Sequence, residues 1–168
     1  MRRTIEVRHQ EWIGAPIATV RSQFADLHHH IETKVHPNLR FEVLAQEPRR
    51  ARFRQQVKLL GFWQTDLFDR TIDDDGTMHD VSVEGFNKGG TLDFTFAPVR
   101  QGEREGTEVG VTVRLQTPPF LGFLAPLLEK QVRSEVKIAV LQDKNDIENV
   151  YVRLPHAPAR AAATLEPA

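Results

Sequence analysis

The 168-residue sequence contains no cysteine. That excludes disulfides, thiolate-held metals, iron–sulfur clusters and thiol catalysis together. Net charge is also scarce. The 22 basic and 23 acidic side chains leave −1 with histidine neutral, so no strong field draws the chain to nucleic acid or anionic lipid. Long apolar runs are missing as well. The most apolar stretch, 117–128, holds three prolines and is too short to cross a bilayer, so no integral membrane association is expected. Met1-Arg2-Arg3 leads directly into an alternating run, not an apolar signal segment, and the expected compartment is the cytoplasm.

What is present reads as alternating strands closed by one long helix. Ile5 and Val7 share a face opposite Glu6 and Arg8, which predicts a strand over 4–12. Pro16 fits a helix start, and Ile17, Val20, Phe24 and Leu27 at helical spacing predict a short helix to about Asp26. A second short helix is expected over 28–35, before Pro37. Six further strands follow at 39–45, 51–59, 62–72, 77–83, 90–96 and 107–115, with loops at 85–90 and 99–106. Hairpin-length links favour antiparallel pairing. From about Phe120, Leu124, Leu128, Val132, Val136, Val140, Asp143, Ile147 and Val150 form one helical stripe. A helix of about thirty residues would measure roughly 45 Å. Residues 1–154 are expected to form a single domain and 155–168 a flexible C-terminal tail.

This order resembles the START-like helix-grip superfamily (SRPBCC), which includes birch-pollen-allergen-like proteins, polyketide cyclases and lipid-transport proteins. The residues that carry the resemblance are Trp12-Ile13-Gly14-Ala15-Pro16-Ile17, Asp26-Leu27 and Val35-His36-Pro37, together with the long final helix. The resemblance implies an α+β helix-grip fold: an antiparallel seven-stranded curled sheet around a long C-terminal helix, with two short helices after the first strand. It also implies an internal cavity for a small hydrophobic molecule such as a lipid, sterol or polyketide. Polar residues that share a parity with bulky ones, Gln55 with Phe53 and Thr65 with Trp63, fit a wall facing water or a ligand headgroup. The expected lining is Phe53, Trp63, Phe94, Phe96, Leu124, Leu128 and Asp143. An aromatase/cyclase-like enzyme is the alternative, with an inward acid or histidine managing protons.

Asp143 interrupts the apolar stripe, where a carboxylate faces the grip and needs a cation, a proton or a donor. His28, His29, His30 and His36 bunch within ten residues. Asp26-Leu27-His28-His29, His36-Pro37 and Gln142-Asp143-Lys144 are similar to the iron site of Rieske-type oxygenase catalytic domains. That likeness implies a mononuclear iron held by His29, His36 and Asp143. The sequence departs from the pattern: six residues separate His29 from His36 where four are usual, and five separate His30 from His36. The favoured expectation is no metal and no cofactor, with three histidines on a solvated loop and Asp143 paired with Lys144 or Arg54.

Other motifs are weaker. The serines lack a nucleophile-elbow context, and 85–90 is glycine-rich without phosphate-loop spacing. Asp73-Asp74-Asp75-Gly76 reads as a turn, not a calcium loop. Asp66 and Asp69 have opposite parity, so the expectation there is a solvated edge and not an acid pair. Nothing in the sequence sets an oligomeric state.

Overall fold

The computed structural model describes residues 3–154, so the expected tail at 155–168 lies outside the described residues. Seven strands form: β1 (Arg3–Ile13), β2 (Leu39–Glu47), β3 (Arg50–Leu59), β4 (Phe62–Ile72), β5 (Met78–Gly85), β6 (Thr91–Gln101) and β7 (Arg104–Thr117). All neighbours pair antiparallel in the order β1-β7-β6-β5-β4-β3-β2. Two short helices, α1 (Ile17–Ala25) and α2 (Leu27–Thr33), follow β1, and α3 (Ala125–Asn149) closes the fold.

Alternation places the core. Ile5 and Val7 of β1 stand opposite Leu115 and Val113 of β7, and all four are buried. On the next strand, Leu92 and Phe94 face Val113 and Val111. Across β1, β7 and β6 the concave face of the sheet is therefore apolar, and α3 supplies its cover. Leu128, Val132, Val140 and Ile147 of the predicted stripe are buried against it. No helix among the described residues is long and apolar enough to cross a membrane.

Two boundaries differ most from the sequence reading. The long helix begins at Ala125, after a 3-10 turn at Pro119–Leu124. Pro126 explains this: its ring blocks a helical residue four positions earlier but is tolerated in a first turn. At 1.5 Å per residue the remaining 25 residues span about 38 Å. The expected loop at 99–106 is instead a hairpin, with β6 and β7 paired to Gln101 and Arg104 around Gly102. Gly102 has φ 61°, a left-handed conformation that suits glycine in so short a link.

α3 packs most closely along β1, at one edge of the sheet. Beneath β3, β4 and β6 the inward side chains meet a gap, not the helix. That gap holds the site.

Candidate functional site

Asp26 caps α2, accepting the His29 backbone N–H at 3.0 Å through its side chain. Its carbonyl accepts the His30 Nδ1–H at 2.7 Å. Lys34 then takes a left-handed conformation, φ 53°, and turns the chain so that His36 returns beside His30. The two imidazole rings stack with centroids 5.2 Å apart. Both Nε2 atoms face one carboxylate oxygen of α3, Asp143 Oδ1, at 3.1 Å for His30 and 3.2 Å for His36. The far side of the His36 ring is held as well, with Nδ1 3.0 Å from Gln142 Oε1.

The tautomer of His30 follows. A backbone carbonyl only accepts, so Nδ1 carries the proton, and a neutral His30 would point a bare lone pair at a carboxylate. Three states make that contact attractive: an imidazolium, a protonated Asp143 carboxyl donating to the nitrogen, or a cation bound by the nitrogen and the oxygen. Burial pushes the Asp143 carboxyl up, but the charge of His36 and the hydrogen bonds of both imidazoles outweigh it and hold it well below the usual carboxylate range. Burial likewise lowers the His36 imidazole, and the Asp143 carboxylate outweighs that to raise it above its ordinary value.

These distances correct three expectations. His29 and His30 lie buried on a helix and not on a solvated loop; only His28 of the three is exposed. His29 is not grouped with His36 and Asp143, since its Nε2 pairs with Asp146 Oδ2 at 2.8 Å. His30 occupies that place, because His30 lies one turn beyond Asp26 on the inner face of α2. Asp143 pairs with neither Lys144 nor Arg54: Lys144 bonds Glu11 and Arg54 bonds Glu42. Sequence reasoning also missed Gln23, whose Nε2 donates to Asp143 Oδ1 at 3.0 Å and to Asp146 Oδ2 at 3.1 Å. The Asp143–Asp146 spacing of three puts both acids on one helix face, but nothing in the sequence names the residue that bridges them.

The cluster forms one end of a cavity of about 160 Å³ between sheet and α3. Phe53, Phe94 and Asp143 line it, together with Phe24, Phe41 and Phe68. Four expected lining residues stand elsewhere. Trp63 shares the parity of Thr65 and Asp69, so it points outward and is 40% exposed beneath the Arg40 guanidinium. Phe96 packs edge-on to Phe24, with ring centroids 5.5 Å apart, outside the cavity. Leu128 is fully buried in the core, and Leu124 ends the 3-10 turn.

Charged groups also reach the cavity wall from the sheet. Arg70 and Asp80 form a buried bidentate pair, both bonds 2.7 Å, and Arg70 Nη1 donates to the Phe24 carbonyl. The predicted parity of Asp66 and Asp69 holds, but the solvated edge does not. Asp69 faces outward to Arg52, whereas Asp66 is buried in the cavity wall.

No family model matches the sequence, and no curated protein matches it. Solved structures do match in fold. A Thermus thermophilus protein, TTHA0849, is 23% identical, with 85% of this chain and 97% of that chain covered at TM-score 0.69. The Zhui aromatase/cyclase from Streptomyces is 17% identical, covering 90% and 95% at TM-score 0.61. A START superfamily protein from Mycobacterium smegmatis is 14% identical, covering 86% and 98% at TM-score 0.69. Seven antiparallel strands curled around one long terminal helix, with two short helices after the first strand, give this chain the START-like helix-grip fold.

Proposed function

We propose that the protein binds a small apolar molecule, about one aromatic ring in size, between its sheet and α3. The observation that carries this reading is the cavity of about 160 Å³ walled by phenylalanine rings. An apolar cavity of about 150 Å³ takes benzene, whereas drug-sized ligands occupy roughly 300–1,000 Å³. The volume favours a single ring over the sterol, lipid or polyketide that the resemblance implies, and so weighs against a polyketide cyclase. The START superfamily and aromatase/cyclase neighbours support a ligand-holding role for the fold. Enclosing about 150 Å² of apolar surface contributes roughly 4 kcal/mol, equivalent to a millimolar Kd. Calorimetric titration with toluene tests the reading. Wild type should bind, and Ala139→Phe, which fills the cavity from α3, should abolish binding. Equal heats from both proteins would sink it.

A second reading rests on a separate observation: His30, His36 and Asp143 offer ligand atoms all within 4.8 Å of one another. Two imidazoles and a carboxylate suit a first-row transition metal, and iron so held supplies oxygen chemistry when bound. His30 and His36 would bind through Nε2, because each Nδ1 is already committed to an oxygen. Gln23 would orient Asp143. The chain has no cysteine for an iron–sulfur cluster, so reducing equivalents would come from elsewhere. Elemental analysis after anaerobic purification decides. One equivalent of metal, lost in both His30→Ala and Asp143→Ala, supports the reading; trace metal alike in all three proteins contradicts it.

A further inference from the structure

Enclosure alone gives weak affinity, so the ligand's identity turns on the polar groups that meet it. The charges on the cavity wall are largely matched within the protein. Arg70 and Asp80 neutralise each other, and Asp143 faces two imidazoles. Glu135 stands half-buried on α3, where water reaches it. Asp66 differs: it is 5% exposed, and among the described residues it has no cationic partner.

The chain builds a holder around Asp66. A bulge between Leu67 and Phe68 shifts the β4–β5 register, and the 85–90 loop folds over the carboxylate. Gly85, φ 116°, passes so close that an added Cβ would lie 2.8 Å from Asp66 Oδ1. The Asn87 backbone N–H donates to Oδ1 at 2.6 Å and the Ser82 hydroxyl at 3.0 Å. Both donors use the same oxygen. Oδ2 has no hydrogen-bond partner among the described residues, and the side chain lines the cavity. A loop tie alone accounts for Oδ1, whereas Oδ2 is left free on the cavity side, where a water or a ligand donor can reach it.

We propose that Asp66 orients the ligand: its Oδ2 accepts a hydrogen bond from a hydroxyl or amino group carried on a single apolar ring. This rests on the reading that the cavity holds a small apolar molecule. The protein would then prefer phenol-like or aniline-like molecules over hydrocarbons of the same shape.

Phenol and toluene, near-identical in shape, separate the two claims. In Asp66→Asn the amide oxygen keeps the Asn87 and Ser82 donors, which turns an N–H₂ toward the ligand where an acceptor stood. Phenol binding should weaken about tenfold while toluene stays within about twofold, because the hydroxyl exchanges a bond to a charged acceptor for at most a neutral one from the amide. Equal changes for both ligands, or none, would show that Asp66 only ties the loop. If wild type binds neither, the cavity reading itself fails and this inference with it. Should the variant not fold, the wild-type Asp66 carboxyl ¹³C resonance gives the answer. It should move with phenol and stay with toluene; equal movement, or no movement, overturns the proposal.

Discussion

His30 Nε2 lies 3.1 Å from Asp143 Oδ1 across 113 residues of chain, and both groups are buried. Removing Asp143 strands two imidazoles, whereas removing His30 leaves Asp143 its contacts with His36 and Gln23. In chelator, Asp143→Ala should destabilise by about 3–5 kcal/mol, the cost of breaking a buried pair, and His30→Ala by less. The double variant should lose less than the sum. Urea unfolding of the four proteins checks this. Strict additivity would mean that the contact contributes nothing.

The pair Arg70–Asp80 follows the same logic on the sheet, without ligand chemistry. Arg70→Ala or Asp80→Ala should also cost about 3–5 kcal/mol, whereas Arg70→Met with Asp80→Leu should recover most of the loss. Denaturant midpoints of the three variants would show it. A double variant as unstable as either single one would refute the argument.

Neighbouring residues of α3 test the grip itself. Leu128 is fully buried and Leu127 is 54% exposed. Leu128→Ala should cost about 2–5 kcal/mol, and Leu127→Ala should stay within about 0.5 kcal/mol. Comparable losses at both positions would mean that the helix does not seat as described.

Asp66 gives a pH signature. Burial raises its carboxyl above the usual aspartate value of 3.8, against the lowering effect of the Asn87 and Ser82 donors. The folded state therefore keeps this proton to higher pH than the unfolded chain, and the group's stabilising contribution falls as pH rises through the interval. Asp69 and Asp75 shift the other way, so only a difference isolates Asp66. The stability of Asp66→Asn relative to wild type should rise from below pH 3.8 toward neutrality. Urea unfolding across that range reads it, and a constant or falling difference would contradict the assignment.

Period-two alternation and turn residues made all seven strands legible, because one face of each strand is buried and the register follows. The same rule exposes the misplaced Trp63. It cannot share a face with Phe68, five residues on, and its size outweighed its parity in the sequence reading. The polar cluster was half legible. Asp143 stood out as a carboxylate within an apolar stripe, but the choice between His29 and His30 depends on the phase of a seven-residue helix, set by the Asp26 cap and the Lys34 turn. Gln23 carries no sequence signal: it lies on a short helix whose inner face shows only when α3 crosses it. The parity of Asp66 was legible but its burial was not, since its neighbours Ser82 and Asn87 arrive through a bulge that alternation does not reveal.

The most direct test of the account is where a small apolar ligand sits. With unlabelled toluene and ¹³C-methyl-labelled protein, isotope-filtered NOEs from the ring protons should reach Leu92, Val113 and Val140, which wall the cavity from sheet and helix. NOEs confined to exposed apolar positions such as Leu127 and Leu44, or none at all, would contradict it.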